Sequence, residues 1–173
     1  MKVGINCGSG QRPFLSTPEV KWHNIDSVER EGMSKPDLVC DGAKLPFYDG
    51  VIDYFVLHHV LEHFGCGEGK ALIDEAYRVL KPGGSLLVFV PNIQALAERW
   101  LAGGLSTQIY VTNLYGAFMG DEADRHKWGF DPASLDEFLS GWNWACRKPY
   151  DWTGIPGMDA ARDWWILGTE CIK

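Results

Sequence analysis

The sequence predicts an α/β fold: a doubly wound, mostly parallel seven-stranded sheet with an antiparallel edge hairpin and a reduced helix after strand one. Three observations support this prediction. A strand, a helix and a second strand follow one another over residues 51–90, which is typical of a right-handed parallel crossover. Glycines or polar side chains follow several predicted strands. Two short strand-like segments occupy the C-terminal end of the chain.

The unit at residues 51–90 shows both hydrophobic periodicities. Residues 51–57 are mostly β-branched, aromatic or aliphatic, as in a strand buried on both faces. Apolar side chains recur at helical spacing over residues 70–80. The turn at residues 81–84 ends this helix because its proline cannot continue it, and residues 85–90 form the next buried strand.

Three strands are predicted before this unit, at residues 2–7, 21–26 and 36–41. The first strand runs into a glycine-rich turn at residues 8–10, and each of the other two ends in an acid. Prolines interrupt residues 12–21 and no helical period appears there. We therefore expect no long helix after the first strand.

Two helices are predicted after this unit, at residues 93–101 and 131–139. Asp131 is placed to cap the second helix and Pro132 to occupy its first turn. Residues 105–124 show no clear period, and we interpret them as a lid or an irregular helical insert.

The C-terminal end predicts the antiparallel edge hairpin. Residues 142–148 and 163–171 form its strands, and residues 149–162 form the connecting loop. With 173 residues and no linker, the whole chain, residues 1–173, is predicted to be a single domain.

Composition excludes several classes of function. The net charge is −7 and the pI about 5.1, which disfavours a nucleic-acid partner because such binding needs a basic surface. No apolar run approaches the length needed to span a bilayer, so we expect no membrane partner. Five scattered cysteines without a CxxC pair predict reduced thiols and a cytoplasmic protein. Oligomeric state cannot be predicted.

The polar and glycine-rich segments share one predicted location. The glycine turn, Asp26, Asp41 and the pair His58–His59 each lie just beyond the carboxyl end of a strand. Ligands bind at this edge of open parallel sheets. For each acid taken alone, a helix cap or a solvated turn explains its presence equally well.

Six segments in order resemble the class I S-adenosylmethionine-dependent methyltransferases, and more closely their small type 11 group. The acid-loop segment Asp41–Phe47 and the segment Arg78–Gly84 are the most specific. The others are Asn6–Gly10, Trp22–Asp26, His59–His63 and Val90–Asn92. The resemblance implies a Rossmann-like fold, S-adenosylmethionine as cofactor, and methyl transfer to a small-molecule acceptor, such as a sugar or another polar metabolite.

The resemblance also implies which residues bind the cofactor. Gly8 and Gly10 would lie against its methionine part, and Asp26 would bind the ribose hydroxyls. The remaining implied positions face the adenine, the amino-acid end or the sulfonium, and they are Asp41, Gly42, Ala43, Asn6 and His58.

Two positions depart from the family pattern. Asn6 replaces the usual first glycine, and Gly4 stands where an acid or amide is common. A degenerate, non-catalytic domain that binds the cofactor or regulates a partner is therefore an alternative function.

His59 and His126 are the candidate catalytic bases, because imidazole titrates near neutral pH. A structural role for His59 at the start of a helix is an equally good interpretation. Arg125 and Lys127 could hold an anionic acceptor or be solvated.

The segment His59–His63 also matches H-x-x-E-H, the inverted zinc-protease motif. On an α-helix, His59 and His63 would share a face and could bind zinc, with Glu62 as base. This hydrolase is a remote alternative, because five-residue matches are common by chance, and we predict no metal.

Overall fold

The computed structural model describes residues 1–117, 122–150 and 164–173, and it confirms the predicted α/β architecture. Seven strands form one sheet in the order β3-β2-β1-β4-β5-β7-β6. They are β1 (Lys2–Cys7), β2 (Val20–Asp26), β3 (Leu38–Val39), β4 (Ile52–His58), β5 (Leu80–Pro91), β6 (Cys146–Pro149) and β7 (Ile166–Ile172). Pairing is parallel from β1 to β5, whereas β7 is antiparallel to β5 and β6. The predicted edge hairpin is confirmed, although most of its predicted loop, residues 149–162, lies outside the described residues.

Four α-helices accompany the sheet: α1 (Cys66–Val79), α2 (Ile93–Leu101), α3 (Thr107–Tyr115) and α4 (Pro132–Leu139). Side chains cap α2 and α4, and the cap by Asp131 is the one that the sequence predicts. The Asn92 side chain accepts a hydrogen bond from the amide of Ala95 at 3.1 Å, and Asp131 accepts one from Ser134 at 2.7 Å. No helix among the described residues is long and apolar enough to cross a bilayer.

Several boundaries differ from the prediction, including those of the C-terminal strands. Strand β6 begins at Cys146 rather than residue 142, and β7 spans Ile166–Ile172 rather than residues 163–171. Helix α1 begins at Cys66 rather than residue 70, because the Glu68 carboxylate accepts the Gly65 amide at 3.1 Å and supports an earlier start. The helix ends at Val79, and the predicted turn at 81–84 belongs to β5, where the pairing with β4 shifts register. Strand β3 keeps only two of the six predicted residues.

The order of the strands creates a switch point between β1 and β4. The chain proceeds outward from β1 through β2 to β3, and then returns to the other side of β1 as β4 and β5. Connections on the two sides therefore diverge at the carboxyl ends of β1 and β4. A crevice forms at such a point in open α/β sheets, and it is where the predicted ligand-binding segments meet.

One face of the sheet is covered by helices in the usual way. Buried residues of α1 and α4, including Leu72, Ile73, Leu135 and Leu139, pack against the strands in one large core. The Trp144 indole joins this core and donates to the carbonyl of Leu139 at 2.8 Å. This core fixes α1 beneath the carboxyl edge of the sheet.

The opposite face near β1 is covered by a loop instead of a helix. We call residues 11–18 the strap. Its Phe14 is only 4% exposed and joins a second core with aromatic and aliphatic residues of the strands. The buried amide of Asn24 holds Phe14 from both sides, accepting from its N–H at 2.7 Å and donating to its carbonyl at 3.0 Å. The predicted absence of a helix after β1 is confirmed.

Candidate active site

A cleft of about 540 Å³ opens at the switch point. The turns after β1, β2, β3 and β4 form most of its wall, and Leu72 of α1 with Ala123, Asp124 and Lys127 complete it. The residues that matter below are Gly8, Gly10, Asp26, Arg30, Asp41, Gly42, His59, Val60, His63 and Lys127. The sheet therefore brings most of the predicted site residues together.

The glycine turn after β1 requires glycine at two positions. Gly8 has φ +70° and Gly10 has φ +45°, which only glycine adopts at low cost. A Cβ on Gly8 would also lie 2.5 Å from Cγ2 of Val60 in the turn after β4. Because the two turns touch here, the backbone of residues 8–10 forms the floor of the cleft.

Asp26 lies at the end of β2 and is only 7% exposed. Its carboxylate accepts the amides of Gly10 at 3.0 Å and Val28 at 3.4 Å, and it lies 3.5 Å from the guanidinium of Arg30. A carboxylate has about four acceptor sites, so these contacts leave capacity for one hydroxyl of a ligand. Asp26 thus both fixes the glycine turn and presents acceptor oxygens to the cleft.

The loop after β3 forms the next wall. The exposed carboxylate of Asp41 accepts the amide of Ala43 at 2.9 Å, which closes a tight turn and engages the Ala43 amide. A Cβ on Gly42 would lie 2.9 Å from both Cys7 Sγ and Leu72 Cδ1. Glycine is therefore needed for this loop to approach β1 and α1.

Arg78 anchors the far end of the same loop from α1. Its guanidinium donates to the carbonyls of Leu45 (3.2 Å) and Phe47 (2.9 Å) and to the carboxylate of Glu75. Glu75 in turn accepts the amide of Leu45 at 2.6 Å. These carboxylate contacts hold the pKa of Arg78 above its ordinary value. The loop that carries Asp41 is thus fixed by charge-assisted hydrogen bonds.

Asn6 is not part of the cleft wall. It is only 2% exposed, and its amide donates to the carbonyl of Arg12 at 2.9 Å and to Oδ1 of Asn24 at 3.0 Å. The ring of Trp22 occupies the space beside Gly4. Both departures from the family pattern therefore support the strap, and neither residue lines the cleft.

His59 adopts the left-handed backbone conformation, with φ +56°. A bulky residue in this region is uncommon and often marks a functional site. His59 lines the cleft, its Nδ1 lies 3.0 Å from Oε1 of the buried Glu62, and its ring lies 5.3 Å from that of Trp165.

His58 lies at the end of β4 and outside the cleft wall. Its ring packs 5.6 Å from Phe89, on the strap side of the sheet. Burial, reinforced by the neighbouring His59 and Arg12 and opposed by Glu62, lowers the pKa of His58 to about 3. The structure thus places the two adjacent histidines in different environments.

The structure brings Glu62 and His63 next to His126, a convergence that the sequence analysis missed. The rings of His63 and His126 lie 4.8 Å apart. His126 itself is half-buried and outside the cleft wall, and burial lowers its pKa. His63 and Lys127 do line the cleft. The H-x-x-E-H pattern was the available signal, but its third partner is distant in sequence.

The expectation that His59 and His63 share an α-helical face is wrong. Only residues Leu61–His63 form a single 3₁₀ turn, and His59 precedes it in the left-handed conformation. The arrangement instead pairs His59 with Glu62 and leaves His63 to face His126. Among the cationic candidates, Lys127 contacts Glu68 at 3.4 Å and Arg125 contacts Glu122 at 3.2 Å.

Taken together, the cleft combines three chemical elements. An exposed glycine backbone allows close approach of a ligand, and carboxylates at two strand ends offer acceptors for hydroxyl or amino groups. The third element is the imidazole of His59, which is hydrogen-bonded to the buried carboxylate of Glu62. This arrangement suits a ligand with a hydroxylated, neutral or cationic part, and a proton transfer at its far end.

Comparison with known proteins finds one family model and several partial relatives. Residues 19–88 match the family model of the type 11 group, described as a methyltransferase domain. An uncharacterised protein of Methanocaldococcus jannaschii is 29% identical over 90 residues, 51% of this chain and 42% of that protein. A mouse (Mus musculus) protein named "Probable tRNA methyltransferase 9B" is 36% identical over 64 residues, 36% of this chain and 14% of that protein. The chain thus matches less than half the length of these curated relatives.

Solved structures extend the similarity to nearly the whole chain. A SAM-dependent methyltransferase from Archaeoglobus fulgidus superposes with a TM-score of 0.63 at 12% identity, over 99% of this chain and 86% of that one. The 1,6-didemethyltoxoflavin-N1-methyltransferase of Burkholderia thailandensis, solved with 1,6-didemethyltoxoflavin and S-adenosylhomocysteine, has a TM-score of 0.59 at 16% identity, over 99% and 70%.

The fold is that of the class I S-adenosylmethionine-dependent methyltransferases. The match over residues 19–88 confirms the resemblance to the type 11 methyltransferase-domain group.

Proposed function

We propose that this protein is an S-adenosylmethionine-dependent methyltransferase acting on a small polar acceptor, such as a sugar or another hydroxylated metabolite. The observation that carries the proposal is the convergence of the glycine turn, Asp26 and His59 on one cleft at the switch point. The net charge of −7 favours a small acceptor over a nucleic acid.

The cleft has room and chemistry for the cofactor. The backbone at Gly8 and Gly10 would contact its methionine part, and Asp26 would accept a hydrogen bond from a ribose hydroxyl. The turn at residues 41–43 would face the adenine. When bound, the cofactor supplies an activated methyl group on a sulfonium, and the protein contributes mainly alignment of donor and acceptor.

His59 is the proposed base for the acceptor. Its Nδ1–H donates to the buried carboxylate of Glu62, which fixes the tautomer and leaves Nε2 with a lone pair. That nitrogen would take the proton of an acceptor hydroxyl as the methyl group is transferred. The left-handed backbone at His59 presents the ring to the cleft.

The first test is calorimetric titration of the purified protein with S-adenosylmethionine and S-adenosylhomocysteine. We expect micromolar binding, and we expect Asp26→Asn to weaken it by about 1–3 kcal/mol, roughly 5- to 150-fold, because a charged acceptor is lost. Asp136→Asn is the matched control, since Asp136 pairs with Arg147 and does not line the cleft. Absence of binding at millimolar ligand, or equal effects of both variants, would overturn the cofactor site.

A second candidate function is binding without catalysis, as in a regulatory domain. Asn6 and Gly4 favour this function. Asn6 binds the strap through the carbonyl of Arg12, and the ring of Trp22 fills the space beside Gly4. Transfer of a labelled methyl group from the cofactor to fractions of a metabolite extract separates the two functions. Labelling that depends on His59 supports the enzyme, whereas tight binding without any labelled product supports the regulatory domain.

A further inference from the structure

One buried carboxylate oxygen near the cleft has no hydrogen-bond partner among the described residues. It is Oε2 of Glu62, a residue that is only 1% exposed. Burying an uncompensated carboxylate oxygen costs several kcal/mol in general, and such groups are rare in proteins. A positive or hydrogen-bonding species at Oε2 would remove this cost.

Two imidazoles stand next to Glu62. One ligand atom each from Glu62, His63 and His126 lie within 4.8 Å of one another. For any three atoms no more than 4.8 Å apart, there is a point that lies within about 2.8 Å of all three. Zinc–ligand bonds are about 2.0–2.2 Å long. Inward shifts of roughly 0.7 Å would therefore complete the coordination.

The surrounding hydrogen bonds prepare both imidazoles as metal ligands. Nδ1 of His63 lies 3.2 Å from the carbonyl of Arg125, and Nδ1 of His126 lies 2.9 Å from the carbonyl of Asn113. A carbonyl can only accept, so each Nδ1 carries the proton and each Nε2 keeps its lone pair. Metal-binding histidines show this pattern, in which the other ring nitrogen donates to a carbonyl.

Backbone contacts hold the two halves of the cluster together. The amides of Lys127 and Trp128 both donate to the carbonyl of Glu62, at 2.8 and 3.1 Å. The amide of His126 donates to the carbonyl of Tyr115 at the end of α3, at 3.1 Å. Glu62 and His126 are thus positioned by main-chain contacts rather than by flexible side chains.

We propose that Glu62, His63 and His126 form a binding site for a first-row divalent metal ion, with zinc as the best match. Two imidazoles and one carboxylate are a common zinc ligand set, and three protein ligands leave a position open. Of the three ligands, His63 lines the cleft, and an acceptor in the cleft would reach the ion from that side.

The role of the ion in catalysis rests on the proposed function, whereas metal binding itself does not. At the open position the ion would hold an oxygen of a hydroxylated acceptor and lower its pKa. Oε1 of Glu62 would remain bonded to His59. The same carboxylate would therefore orient the base and hold the metal.

The test uses the full chain after removal of metal with a chelator. Zinc binding is measured by calorimetry, and cobalt is added separately as a spectroscopic probe. We expect one ion per chain, and the variants Glu62→Gln and His126→Gln should each weaken zinc binding about tenfold or more. His23→Gln is the control, because His23 lies in β2 beside Phe47. Circular dichroism verifies that each variant is folded.

Four outcomes would overturn the metal site. Three concern zinc: absence of stoichiometric binding, unchanged affinity in both site variants, and an equal loss of affinity in His23→Gln. The fourth is a thiolate-to-cobalt absorption band, which would show that the exposed thiols of Cys66 or Cys146 bind the metal instead. Titration of the metal-free and zinc-loaded protein with S-adenosylhomocysteine separates the two proposals. If the protein binds S-adenosylhomocysteine but not zinc, only the metal site is refuted. If it binds zinc but not S-adenosylhomocysteine, only the proposed function is refuted.

Discussion

Replacing Gly4 with alanine should destabilise the protein sharply, although the change adds only one methyl group. Gly4 lies in β1, directly beside Trp22 of β2. A Cβ at position 4 would lie 2.5 Å from Cε3 and 2.9 Å from Cη2 of Trp22. The indole cannot yield easily, because it is 3% exposed and packs against Phe14 and Tyr54 with ring centroids 5.0 and 6.2 Å away.

The expected loss follows from overpacking. Forcing a methyl group into a filled core costs about 1–3 kcal/mol, and displacing Trp22 also weakens aromatic contacts that contribute about 0.5–1.5 kcal/mol each. Relief of the conformational entropy of glycine offsets about 0.5–1 kcal/mol. We therefore expect Gly4→Ala to lower the free energy of unfolding by about 2–3 kcal/mol.

Urea unfolding measures this loss. With an m-value of about 2 kcal/mol per molar urea, the midpoint should fall by roughly 1 M. Trp22→Leu opens the space beside Gly4, so the double variant should be more stable than additivity predicts by about 1 kcal/mol or more. Gly67→Ala is the control, because Gly67 lies in α1 with nothing within 4 Å of an added Cβ. A midpoint for Gly4→Ala equal to that of the native protein would refute the packing argument.

Two further predictions concern His58 and Arg78. Because burial and the neighbouring His59 lower the pKa of His58 to about 3, His58 binds a proton in the unfolded chain but not in the folded chain between pH 6.5 and about 3. The free energy of unfolding should fall as the pH drops from 6.5, by about 1.4 kcal/mol per pH unit at most. The urea midpoint of His58→Phe should decline less steeply with pH than that of the native protein. Equal slopes for the two proteins would contradict this prediction. Arg78→Lys cannot reproduce the fork that holds Glu75 and two loop carbonyls, so it should cost about 1–2 kcal/mol and weaken S-adenosylhomocysteine binding. Unchanged stability and affinity, measured by the same titrations, would exclude this anchoring role.

The elements with strong local signals were predictable from the sequence. Helix α2 has the predicted bounds, Ile93–Leu101, because its apolar residues recur at helical spacing and glycines follow its last turn. The start of α1 was missed because Gly65, Gly67 and Gly69 weaken its helical pattern. Strand β3 could not be delimited, since only two of its residues find partners in β2.

The candidate site likewise has a part that the sequence predicts and a part that it does not. The glycine turn and Asp26 follow strands, so parallel pairing alone brings them to one edge. The meeting of Glu62 and His126 depends on two amides after His126 that donate to the carbonyl of Glu62. Such main-chain contacts are independent of side-chain type and leave no pattern in the sequence. The role of Asn6 was likewise hidden, because its partners are a carbonyl and a second buried amide.

The strap connects occupancy of the cleft with local opening of the sheet. It continues directly from the glycine turn, so a local opening that moved Phe14 out of its core would also break the hydrogen bond of Gly10 to Asp26. A ligand that needs the closed turn suppresses this opening in proportion to its concentration relative to its Kd. Hydrogen exchange at the Phe14 amide, which is bonded to Asn24, would therefore slow as the cleft fills. The amide would report ligand binding from the far side of the sheet, without any change in the shape of the cleft itself.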